Sequence, residues 1–224
     1  MMKYSKIKNK VMKNTWLVII ILISLYACSS EEQIIDGGLS NGNVNATTFD
    51  FLKSHKQLDT LAILIEKAGL KDKVNEQTTL FAANNTSINR YVNSVLSKMR
   101  QTDPEATFTV DDIHVDTLKK YMGSYIFNVK IKRENMTKEG SILTSSNGEK
   151  RRISLEPVDK YNNYLESRPE YVYYTYKGGD TWEDWDDVNS DDESVLVRTS
   201  NITTLNGVVH VLQGTHVLFN YKNN

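Results

Sequence analysis

The chain has 224 residues, 25% of them charged and 39% hydrophobic, a profile that fits one soluble domain or two small ones and excludes a disordered or multi-span membrane protein. Its formal charge of −1, from 27 basic and 28 acidic residues, argues against a strongly basic nucleic-acid binder. A single cysteine excludes an intramolecular disulfide and any multi-cysteine metal or Fe–S site, so the fold must rest on a hydrophobic core.

Lys3, Lys6, Lys8, Lys10 and Lys13 form a basic segment without an acid, followed by the apolar run Trp16 to Ala27 and by Cys28-Ser29-Ser30-Glu31-Glu32. Twelve residues are too few to cross a hydrocarbon core, which needs roughly 20 in a helix. Residues 1–27 read as a signal peptide. Leu25-Tyr26-Ala27-Cys28 resembles the bacterial lipobox, which implies cleavage before Cys28 and acylation of its thiol and new amine. Several acyl chains on one residue hold firmly, since each buried methylene contributes about 0.8 kcal/mol. The expected protein is anchored to a membrane without spanning it. Removing five lysines and no acids leaves 197 residues with 22 basic and 28 acidic side chains, a net charge of −6 that further disfavours nucleic acid.

Residues 28–46 carry the anchor and a polar, glycine-bearing stretch without helical or alternating period, which is expected to be a flexible tether reaching about 20–25 Å. Ser29-Ser30-Glu31-Glu32 resembles the acidic export signal of Bacteroidota lipoproteins, implying an outer-membrane lipoprotein that faces either the periplasm or, preferably, the cell surface.

The domain is expected over 47–224. Phe49, Phe51, Leu52, Leu58, Leu61, Ala62, Leu64, Ile65 and Ala68 recur at helical spacing, and Gly69-Leu70 supplies a left-handed stop. Thr78 to Ala82 reads as a strand. Asn84 and Asn85 suit the cap of a following helix with Ile88, Tyr91, Val92, Val95 and Met99 on its apolar face. Another helix is expected from Ile113 to Met122, with Asp111 or Asp112 in its first turn. Strands are then predicted at Tyr125–Lys132, Ile142–Ser145, Arg151–Leu155, Tyr171–Tyr176, Val195–Thr199, Val208–Leu212 and His216–Tyr221. Helices followed by strands argue for an α+β domain.

Thr78-Thr79-Leu80-Phe81-Ala82-Ala83-Asn84-Asn85 resembles the first signature of fasciclin domains, and Asn206-Gly207-Val208-Val209-His210-Val211-Leu212 their closing one. Leu143 to Gly148 is similar to the family's central turn, and Asp59-Thr60-Leu61 with Ala68-Gly69-Leu70 to its opening helix. The resemblance implies helices packed on a C-terminal β-sheet wedge, with Phe81, Asn84, Asn85, Asn206, Gly207 and His210 as structural signature residues. It also implies adhesion or recognition of protein or glycan partners and no reaction. Ala83 stands where the family usually has proline, and Tyr125 falls about where its Tyr-His motif places histidine, leaving His210 without its usual counterpart.

Between Leu155 and Val195 lie 39 residues, 156–194, read as an insertion. It holds Trp182, Trp185 and six of the 12 tyrosines: Tyr161, Tyr164, Tyr171, Tyr173, Tyr174 and Tyr176. Eight acids fall between Asp180 and Glu193 with no Lys or Arg. Two readings compete for the aromatics. Tyr171, Tyr173, Tyr174, Tyr176, Trp182 and Trp185 could stack on sugar faces while carboxylates accept hydroxyl hydrogen bonds, or they could pack the sheet and staple a loop to it. Asp187, Asn189 and Asp191 alternate like the start of a calcium loop, but Asp192 and Arg198 occupy the positions of its glycine and its bidentate glutamate. This is not an EF-hand; a looser Ca²⁺ site competes with a solvated acidic loop, and no metal or other cofactor is assigned. No zinc-protease, nucleophile-elbow or phosphate-loop motif occurs, and no catalytic residue is assigned. A second functional reading is an accessory glycan-binding lipoprotein of an outer-membrane polysaccharide uptake system.

Overall fold

A computed structural model of the protein describes residues 42–157, 169–178 and 192–219. The first described residues pair with the sheet at Thr203. Asn43 bridges Thr203 in parallel, Val44 N–H donates to the Thr203 carbonyl, and Leu205 N–H donates to that of Ala46. The expected tether of 28–46 is corrected at this end, because residues 42–46 find backbone partners. Gly42 permits the approach, since a Cβ there would lie 2.8 Å from the Asn201 carbonyl oxygen.

Thr47 caps α1 (Thr48–Ser54) by accepting from Asp50 N–H at 3.2 Å. Helices α2 (Asp59–Lys67) and α3 (Lys71–Val74) follow, with Gly69 between them at φ 72°, a conformation in which a Cβ is costly. Their apolar face is the expected one: Phe49, Leu52, Leu58, Leu61, Leu64 and Ile65 are buried. Strand β1 (Thr79–Ala82) is buried along its whole length and leads into α4 (Asn85–Met99). Only the first half of that helix packs inward. Ile88 and Val92 are buried, whereas Met99 is exposed.

Helix α5 spans Val115–Tyr121 and is capped by His114, whose ring accepts from Asp116 N–H. The expected role of Asp111 or Asp112 is corrected. Asp112 closes a separate 3₁₀ turn, Val110–Asp112, by accepting from Thr109 N–H at 2.7 Å and from its hydroxyl at 2.8 Å. Both bonds favour the carboxylate form and hold its pKa below the usual range.

The strands β2 (Ile126–Phe127), β3 (Ser141–Thr144), β4 (Lys150–Pro157), β5 (Glu170–Tyr176), β6 (Glu193–Thr203) and β7 (Val208–Leu212) join β1 in a seven-stranded sheet of order β2-β1-β7-β6-β5-β4-β3. The α+β reading holds, with one refinement: β1 belongs to the helical part of the sequence yet pairs in parallel with the last strand, β7. Strand β6 divides its partners. Residues 193–196 pair with β5, whereas Val197 to Thr203 pair with β7 across two register shifts. Bulges of this kind bend a strand and raise its local twist, which lets one strand serve two half-sheets.

Two expected strands are corrected. Tyr125–Lys132 shrinks to Ile126–Phe127 because a side chain replaces the ladder beyond it: Thr79 Oγ1 donates to the Val129 carbonyl and accepts from Ile131 N–H, both at 2.7 Å. Residues 216–219 of the expected strand His216–Tyr221 form no strand: 218–219 are a turn, with Phe219 at φ 60°, and residues 220–221 lie outside the described residues. Within the expected insertion 156–194 the predicted strand Tyr171–Tyr176 is found as β5, paired with β4 and β6, while residues 158–168 and 179–191 lie outside the described residues.

Candidate functional site

The two signature segments meet in register. Thr79 aligns with Val208, Leu80 with Val209, Phe81 with His210 and Ala82 with Val211. Phe81 is fully buried and stacks on the His210 ring, with centroids 5.0 Å apart and planes 19° apart. Around His210 the hydrogen bonds select one neutral tautomer: Nε2–H donates to the Ile131 carbonyl at 2.8 Å, and Nδ1 accepts from Asn201 N–H at 3.4 Å. Burial disfavours the charged ring and pushes its pKa down to about 4, against the opposing pull of the Ile131 carbonyl and Glu134.

The asparagines tie backbone segments together. Asn84 caps α4, its Oδ1 accepting from Ser87 N–H at 3.0 Å while Nδ2 donates to the Leu212 carbonyl. Asn85 reaches the other way, donating to the Lys56 carbonyl and to Asp59 Oδ1 at 2.7 Å. That bond is the largest factor holding the Asp59 pKa below the usual carboxylate range. Asn206 Oδ1 accepts from Thr48 N–H at 2.9 Å, and its Nδ2 donates to the Asn75 carbonyl. Gly207 sits where a Cβ would be 2.8 Å from the Thr78 carbonyl oxygen and 2.9 Å from Thr48 Oγ1. All six signature positions are thus engaged in packing or in side-chain-to-backbone bonds.

The aromatic strand divides into two faces, as the alternation of a strand demands. Tyr174 is 1% exposed; its hydroxyl accepts from Arg151 Nε at 2.8 Å and donates to the Ser124 carbonyl at 3.0 Å. Its ring lies parallel to that of Tyr125 at 5.8 Å. Tyr174 is therefore corrected from contact residue to core residue, because no face of its ring is open to a ligand. Tyr176 shares that face and is half-buried beneath the Arg151 guanidinium, 4.8 Å from its ring centroid. Tyr171 and Tyr173 occupy the opposite face, half-buried, level with Glu156 and Ser154 of β4. Desolvation raises the Tyr173 pKa, and the Glu156 charge adds to the effect. Of the aromatic set, Tyr171 and Tyr173 are the described residues on the face of β5 opposite Tyr174 and the Arg151 guanidinium. Cys28, Trp182 and Trp185 lie outside the described residues, as does the acidic run through residue 191. Asp192, next to it, is committed to a buried pair with Lys177 at 3.5 Å and accepts from Gly178 N–H at 2.9 Å.

Periodicity could not have found three features. Arg151 is fully buried, its charge met by Glu149 Oε2 at 2.7 Å. Tyr125 pairs with His216, a residue other than His210: its hydroxyl is 2.9 Å from Nε2, the other ring nitrogen faces Glu193 at 3.3 Å, and Phe219 N–H donates to the same hydroxyl. The third is a cleft lined by Lys56, Arg90 and Arg198, residues far apart in the chain. Among the described residues no group of three or more His, Cys, Asp or Glu could hold a metal ion, and no helix is long and apolar enough to cross a membrane.

No family model matches the chain, and no curated protein sequence does. Among solved structures it is similar to a FAS1 domain pair from the insect cell adhesion molecule fasciclin I, at 14% identity and a TM-score of 0.48. That alignment covers 79% of this chain and 52% of the other, so the chain spans about half the length of the structure it matches.

Proposed function

We propose that this protein is a fasciclin-like recognition domain, tethered to the outer membrane through acylated Cys28 and binding a protein or glycan partner at the cell surface. The observation that carries the reading is the in-register pairing of the two signature segments, Thr79 to Ala82 against Val208 to Val211. A sequence resemblance of two distant motifs gains weight when the motifs occupy adjacent strands and their shared residues, Phe81 and His210, stack on each other. With that half of the sheet committed to the core, the contact surface falls to the outward face of β5, at Tyr171 and Tyr173, and to the flanking stretches that contain Trp182 and Trp185. Half-buried tyrosines suit this role because they offer large, rigid contact area with a polar edge.

Protease treatment of intact cells followed by mass spectrometry tests display: domain peptides released from wild-type cells support it, and full protection places the domain inside. Cys28→Ser should abolish incorporation of labelled fatty acid and release the protein from the membrane fraction. Pull-down and glycan-array binding with the wild type and Tyr173→Ala test recognition. A bound partner whose retention falls at least threefold in the variant is the expected result.

A further inference from the structure

A cleft of about 390 Å³ opens at the start of α4, bounded by the loop before α2, by β6 and by the segment after β7. Small-molecule sites begin at about this size. Three cations from three separate elements line it, Lys56, Arg90 and Arg198, and no acidic side chain does. Each is exposed, and none forms an ion pair among the described residues. The chain has 28 acidic residues against 27 basic ones, so a basic cluster with no ion pair among the described residues opposes the overall charge. Walls that bring like charges together focus a positive potential on the cleft and raise the local concentration of anions.

The helix adds donors to the charges. The 15-residue α4 has no acid in its first turn. Asn85 N–H is taken by the Gln57 carbonyl and Ser87 N–H by Asn84 Oδ1, which leaves the Thr86 N–H at the mouth of the cleft with no partner among the described residues. A free first-turn N–H at the positive end of a helix suits an oxyanion. Asp59, adjacent through Asn85, is already held by the Asn85 amide and the Thr60 N–H. The remaining walls include the amides of Gln57 and Gln213, donor–acceptor groups that match hydroxyls.

We propose that this cleft binds a saccharide through a sulfate or phosphate ester, with Lys56, Arg90 and Arg198 around the ester oxygens, the Thr86 N–H as a fixed donor, and Gln57 and Gln213 on the sugar hydroxyls. Arginine fits such an oxyanion bidentately, whereas lysine acts as a point charge. Neither Tyr171 nor Tyr173 lines this cleft, so the two readings can fail separately.

Titration calorimetry of the full chain in detergent with galactose 6-sulfate, galactose 6-phosphate and galactose tests it. At least one ester should bind and galactose should not, and the tighter ester identifies the natural anion. Arg90→Gln and Arg198→Gln should each weaken binding about tenfold with an unchanged thermal melt, because both side chains are exposed and form no ion pair among the described residues. Equal binding of galactose, an ester affinity unaltered in both arginine variants, or no binding of either ester at millimolar concentration would overturn the proposal.

Discussion

The half-sheet β2-β1-β7 and the half-sheet β5-β4-β3 share β6 but are stabilised by different chemistry. Around β1 and β7 the buried side chains are apolar or neutral: Phe81, Phe127, Val209 and Leu212, with asparagine amides bonded to backbone. Around β4 and β5 charge is carried inward. Arg151 is fully buried against Glu149, Arg152 pairs with Glu156 at 3.0 Å, and Lys177 pairs with Asp192. An apolar core tolerates little change in volume but is insensitive to charge, whereas a buried ion pair is costly to break on one side only. The first half therefore maintains the fold, and the second couples the fold to the electrostatics of the segments that flank it.

Truncation should expose that contrast most strongly. Phe81→Ala removes a fully buried ring that contacts Phe127, Tyr174 and His210, and should destabilise the domain by about 3–5 kcal/mol in urea unfolding. Glu149→Ala leaves the Arg151 guanidinium buried without its carboxylate and should cost about 3 kcal/mol. The comparison would break if this loss were below about 1 kcal/mol.

A pH series separates the halves differently. The folded-state pKa of His210 is lowered from 6.5 to about 4, so between those values the unfolded chain binds a proton that the folded chain refuses. The contribution of His210 is fully present above pH 6.5, declines as pH falls, and is lost below about pH 4, on the order of 3 kcal/mol in total. Urea midpoints from pH 7 to pH 4 should fall less steeply for His210→Phe than for the wild type. The smallest effect is expected on the outward face of β5, where Tyr173→Ala should change stability by under about 1 kcal/mol. A larger loss would mean that Tyr173 packs the sheet as Tyr174 does.

Much of the fold was legible because its determinants are local. The run of Thr79 to Ala82, the Asn84 cap and the valine-rich run Val208 to Leu212 each show in a short window, and each is found where expected. Expectation failed where a distant group replaced a local one. Nothing near Val129 or Ile131 announces that the Thr79 hydroxyl will take their backbone groups, and nothing near Phe219 announces the Tyr125 hydroxyl. The aromatic segment was recognised as unusual, but its division into a core tyrosine and two outward ones depends on the register of β5 against β4. The basic cleft was hidden twice: by the separation of Lys56, Arg90 and Arg198 along the chain, and by a net charge of the opposite sign.

The docking of residues 42–46 beside β6 has a mechanical meaning. Tension applied from the N-terminal side reaches the domain first at the bonds of Thr203 to Gly42 and to Val44, next at the bond between Ala46 and Leu205, and then at the bond from Thr48 N–H to Asn206. They end on Thr203, the last residue of β6, and on Leu205 and Asn206 of the short link to β7. Pulled along the strand axis, these bonds shear together, so a load would be borne at the end of β6 and at that link before any helix is strained. Single-molecule extension from the N-terminus should therefore record a higher rupture force for the intact chain than for Asn206→Ala.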